Sequence, residues 1–136
     1  MKRAKRLARP SHPAAGGLEP AIRAVFNEQF GSAAERRVVA VGRKTATHEF
    51  ALHDPGKILG CIVPASKGSF EFATAEILWL CLWEGPERRV VITAELGLAQ
   101  RLITVFHGCY FPTQIEAFHF DAASKSFYRT KRLGAD

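Results

Sequence analysis

The densest run of potentially reactive side chains is THEFALHD, residues 47–54, with two histidines and two acids in eight positions. Zinc hydrolases set two histidines four apart around a glutamate, so that both rings share one helix face. Here the second histidine is His53, five places after His48, and Leu52 holds the position it would need. The segment is also expected as a strand, with positions 48 and 53 on opposite sides, so no zinc-hydrolase site is expected. GRKT, residues 42–45, resembles the end of a phosphate-binding loop. However, Arg37 and Arg43 stand where that motif needs its first glycine and its lysine. His107, Cys109 and His119 lack the paired spacing of a soft-metal site, and Cys109 is expected as a small buried hydrophobe. Cys61, in GCIV, has no cationic neighbour in the sequence that would activate it as a nucleophile. Trp79 and Trp83 could stack bases, but at helical spacing inside an apolar run they are expected in the core.

The elements that must position these residues follow from periodicity. LEPAIRAVFNEQFG (18–31) puts Leu18, Ile22, Val25, Phe26 and Phe30 on one helix face. Pro20 suits its first turn and Gly31 its end. RRVVAVG (36–42) is β-branched and short, hence a strand. THEFALH (47–53) and KILGCIV (57–63) are strands around the turn signal DPG. FEFATAEILWLCLW (70–83) favours a buried helix by length and Ala/Leu content. RRVVIT (88–93) is a buried strand, and LGLAQRLITVFHG (96–108) a helix. IEAFHFD (115–121) is a last strand, with Ile115, Ala117 and His119 alternating against Glu116, Phe118 and Phe120. The order α-β-β-β-α-β-α-β predicts an α/β protein with a mixed sheet and helices on its faces.

Composition fits one domain: 136 residues, 47% hydrophobic and 24% charged, are enough for a real core. The net charge of +6 is unevenly placed. Residues 1–17 carry Lys2, Arg3, Lys5, Arg6 and Arg9 with no acid. Residues 122–136 carry Lys125, Arg129, Lys131 and Arg132 against Asp136. Between them, ten basic residues face twelve acidic ones. Segment 1–17 is expected as a disordered basic tail, 18–121 as the domain, and 122–136 as a basic C-terminal tail. Such ends suit phosphate contacts through Lys2, Arg3, Lys5, Arg6, Lys131 and Arg132, with DNA or RNA as the partner. The longest apolar run, ILWLCLW, has seven residues, against about 20 for a membrane span. The basic start lacks the apolar core of a secretory signal. Three cysteines, an odd number, fit reduced thiols. A cytoplasmic protein is expected, with an organelle transit segment as the lesser alternative.

HEFALHDPGKILGCIVP, a helix with AEILWL, then ERRVVIT, LAQRL and IEAFHFD together resemble the restriction-endonuclease-like superfamily, the PD-(D/E)xK nucleases, over about residues 18–121. The resemblance rests on pattern and order. It implies a nuclease-like core. It also implies an Asp on the second strand, and an acid and a Lys two apart on the third, holding a divalent cation and water near a phosphate. By position these fall on Ala51, Cys61 and Val63, all uncharged here. The resemblance therefore implies a retired site and no cofactor. The protein would serve as a nucleic-acid-binding or accessory module. Two alternatives stay open. A relocated Mg²⁺ site could use Glu49, Lys67 and Glu76, with Glu49, His53 and Lys57 on the strand faces of Ala51 and Cys61 and Glu19 and Glu28 close by on the first helix. Or the protein could be an interaction module that never meets nucleic acid.

Overall fold

The computed structural model describes residues 13–42 and 46–134. The chain runs α1 (Pro13–Phe30), β1 (Glu35–Ala40), β2 (Thr47–Asp54), β3 (Ile58–Val63), α2 (Ser69–Leu82), β4 (Arg88–Thr93), α3 (Leu96–Val105), β5 (Ile115–Asp121) and β6 (Ser126–Arg132). The six strands form one sheet in sequence order. The β1–β2, β2–β3 and β5–β6 pairs are antiparallel, while β3–β4 and β4–β5 are parallel. The mixed sheet follows from the connections. The short β2–β3 and β5–β6 turns can only reverse the chain, whereas α2 and α3 provide the crossovers that parallel strands need.

Asp54-Pro55-Gly56-Lys57 closes the β2–β3 hairpin, with the Lys57 N–H bonded to the Asp54 carbonyl at 2.9 Å. Proline presets the second position. Gly56 takes the positive φ of 83° that the third demands. The core has two layers. Ile22 and Phe26 of α1 cover one face of the sheet with Ile62, Ile92, Phe118 and Phe127. Ala73, Ile77 and Leu80 of α2, with Leu98 and Leu102 of α3, cover the other face with Leu59, Cys61 and Val91. Strand β5 divides as its alternation requires: Ile115 and Ala117 join the α2/α3 layer, and Phe118 and Phe120 the α1 layer.

Beyond shifts of one or two residues, such as β1 ending at Ala40, three boundaries differ from expectation. Helix α1 begins at Pro13, so residues 13–17 belong to it and Pro20 is interior. Proline at a helix start, followed by two alanines, is a competent first turn. Residues 122–136 are not a tail throughout, because 126–132 form β6, and Phe127 and Leu133 are buried. Lys131 and Arg132 thus stand on an edge strand. Helix α3 stops at Val105, which is 48% exposed and so does not share the buried face of Leu98 and Leu102. The expected phosphate contacts Lys2, Arg3, Lys5 and Arg6 lie outside the described residues. Among the described residues, no helix is long and apolar enough to cross a membrane.

Candidate functional site

The resemblance places its chemistry between β2 and β3, and the local backbone there is irregular. Arg37 pairs with Phe50, but Glu35 pairs with His53. Two steps on β1 therefore match three on β2, so Ala51 and Leu52 form a bulge opposite Arg36. Both bulged residues pack into the α1 layer, while Phe50 packs into the other. Strand β2 also pairs with β3 only from Leu52 to Asp54. The freed Ala51 carbonyl accepts a hydrogen bond from Arg23 Nη1 at 3.2 Å instead.

The bulge changes which residues share a face. Ala51 lies in the α1 layer, whereas Cys61 and Val63 lie beneath α2. All three are buried, none more than 5% exposed, and the sheet stands between the first and the other two. The same shift corrects two other face expectations. His48 and His53 both face α2, against Trp79 and Trp83 respectively. His53 does not share the face of Ala51.

On the α1 side, the bulge aims Arg36 at the helix. Its guanidinium makes a two-pronged contact with Glu19, Nε to Oε2 at 2.9 Å and Nη2 to Oε1 at 2.8 Å. Its Nη1 is 3.0 Å from Glu49 Oε1. Arg23 adds a third donor to Glu19 at 2.8 Å. Burial pushes the Glu19 carboxyl up, but the hydrogen bonds from Arg36 and Arg23 outweigh it and hold the group below the usual carboxylate range. The two acids here are thus already bridged by a guanidinium. A divalent cation needs carboxylate oxygens that are not neutralised in this way, so this donor set does not fit Mg²⁺.

On the other side, His48 Nε2 lies 2.8 Å from Glu76 Oε2, and its ring stacks on Trp79 at 4.5 Å and 10°. Burial raises the Glu76 carboxyl above its ordinary range, although His48 and Arg36 pull it down. Burial, and then the negative Glu76, pushes the Cys61 thiol well up, which keeps it an unreactive thiol. Glu49 and Glu76 therefore face opposite sides of the sheet, and Lys67 sits exposed in the loop after β3. The structure does not bring Glu49, Lys67 and Glu76 together. Among the described residues, no group of three His, Cys, Asp or Glu side chains is arranged to hold a metal.

Two features escaped the sequence. Glu87 accepts from the Gly56 N–H at 2.9 Å and from the Trp83 indole at 2.7 Å. Its Oε2 is also 3.7 Å from His53 Nε2, and both side chains are almost fully buried. Arg89, equally buried, donates to the carbonyls of Leu80, Trp83, Gly85 and Glu87 at 2.7–3.0 Å, stapling the loop between α2 and β4. A buried polar side chain beside a turn is the only signal for either, and it does not name the partner. Along α2, Phe70, Leu78 and Cys81 line an apolar groove of about 490 Å³ with Phe106 and Phe111. Leu78 and Leu82 on the same helix are 61% and 50% exposed. Cys109 is exposed and not a core residue, and all three cysteines are free.

The chain matches no family model, no curated protein and no solved structure.

Proposed function

We propose that this protein is a non-catalytic module of restriction-endonuclease-like architecture that binds nucleic acid through basic residues at its ends. The architecture is supported by the α-β-β-β-α-β-α-β core with its antiparallel hairpin followed by parallel crossovers. One observation carries the loss of catalysis. At the junction of β2 with α1, the Arg36 guanidinium bridges Glu19 and Glu49, while Ala51, Cys61 and Val63 are buried and apolar. A guanidinium between two carboxylates supplies the charge balance that a cation would otherwise give. Nucleic-acid binding is supported by the placement of charge. Lys125 lies in the β5–β6 turn and Lys131 and Arg132 at the far end of β6, with Arg132 opposite Glu116, and further lysines and arginines lie in residues 1–12.

The test pairs two assays. A plasmid-nicking assay with Mg²⁺ or Mn²⁺ should show no cutting, and an oligonucleotide titration should show binding that weakens steeply with salt. Nicking that requires the divalent ion and disappears in Glu49→Ala would select an active nuclease instead. The apolar face of α2 favours a second reading, a protein-interaction module. That reading gains if the full chain binds no oligonucleotide even at low salt.

A further inference from the structure

Among the described residues, strand β6 is paired on one side only, to β5. In that register Tyr128 faces His119 and Lys131 faces Ala117. Cross-strand partners share a face, and Ala117 belongs to the layer beneath α2 and α3. Tyr128, His119 and Lys131 therefore share one side of the sheet at its margin. The two rings are nearly parallel, with centroids 6.4 Å apart and planes 23° apart. Cross-strand packing accounts for the pairing of the rings. The Tyr128 hydroxyl is reached by Ser126 Oγ at 3.5 Å, and the residue is still 53% exposed on an edge strand.

A second observation comes from the turn beside it. Lys125 has φ 54°, the one positive value at a non-glycine among the described residues. A lysine pays a conformational penalty there that glycine would not. The turn thus keeps a cation, exposed and three residues from Tyr128, at a position suited to glycine. The nearby acids have hydrogen-bond partners of their own, although Asp121 also acts electrostatically on His119 and Tyr128. Asp121 accepts from Ser124 Oγ at 2.7 Å and from the Ala123 N–H at 3.4 Å, and Glu116 accepts from Arg88 at 2.6 Å.

We propose that Tyr128 and His119 form a stacking platform for an unpaired base, with Lys125 and Lys131, at opposite ends of β6, taking phosphates on either side of it, so that this edge selects single-stranded over duplex nucleic acid. Every base has a π-face that an aromatic ring can accept, but a duplex hides those faces in its own stack. The inference rests on the nucleic-acid reading above and adds the strandedness of the ligand and the residues that read it.

The experiment is fluorescence anisotropy with the full chain. Its probes are a labelled single strand of about 12 nucleotides, the blunt duplex of the same sequence, and an oligoglutamate of matching charge. The proteins are the natural chain, Tyr128→Ala, Tyr128→Phe and Lys125→Gly, each checked for a folded thermal transition. The natural chain should bind the single strand on the order of tenfold more tightly than the duplex. Tyr128→Ala should lose most of that preference with an unchanged salt slope, because no charge is removed. Tyr128→Phe should keep it, because the ring is retained. Lys125→Gly should weaken binding and flatten the salt slope. Equal binding of strand and duplex overturns the platform and leaves the nucleic-acid reading standing. So does a Tyr128→Ala chain that binds like the natural one, whereas oligoglutamate bound as well as the single strand overturns both, because the cations then bind any polyanion. If the full chain binds neither nucleic acid at low salt, both fall.

Discussion

At the scale of single residues, the charged groups where β1 and β2 meet α1 are tied into ion pairs, and acid should weaken them. Glu19 is held below the usual carboxylate range, so its contribution is present above that range and is lost as pH falls through its folded value. Glu76 is raised and has the opposite sign: it takes up a proton more readily in the folded chain. Urea midpoints measured from about pH 5 down to about pH 3 should fall for the natural chain and fall less for Glu19→Gln. Arg89 is a second case. One guanidinium closes four carbonyls, a fork that a lysine ammonium cannot reproduce. Arg89→Met should cost about 2–4 kcal/mol in urea unfolding, and Arg89→Lys should recover little of it.

At the scale of elements, the close approach of β3 to β4 depends on Gly60. A Cβ there would collide with Val90 Cγ2 and lie 2.6 Å from the Val90 carbonyl oxygen. The second contact is backbone, so the two strands would have to separate. Gly60→Ala should therefore destabilise the chain by about 2–4 kcal/mol, read as a lower thermal midpoint. The β2 bulge matters as much. It moves Ala51 to the α1 layer while Cys61 and Val63 stay beneath α2. The triple change Ala51→Asp, Cys61→Glu, Val63→Lys would accordingly bury charges on both sides of the sheet without bringing the acids together. It should lose its cooperative unfolding transition and show no nicking with Mg²⁺.

At the scale of the whole molecule, the excess of basic over acidic residues sits at the two ends of the sequence, residues 1–12 and the β6 region. Removing residues 1–12 leaves α1 intact from Pro13. The truncated chain should still bind an oligonucleotide, with a smaller slope of log affinity on log salt. The slope should shrink by about 0.7–0.9 for every phosphate that the removed residues neutralise. Complete loss of binding would mean that the β6 edge contributes nothing.

The sequence by itself determined every element but β6. β-Branched runs, helical periodicity, the DPG turn and the glycine stops are local signals, and strands 88–93 and 115–121 match them residue for residue. The sequence also determined that Ala51, Cys61 and Val63 carry no charge. β6 was legible only in part. Phe127 and Tyr128 are strand formers, but the four cations of residues 122–136 pointed to a solvated tail. Tertiary structure alone decided the faces. A bulge is a mismatch in count between two strands, so nothing within β2 reveals it, and one extra residue turns every side chain before it to the other side. That single slip aims Arg36 at Glu19 and Glu49, sets both histidines against the tryptophans of α2, and parts Glu49 from Glu76. It is a consequence of pairing between strands, which only the folded chain contains.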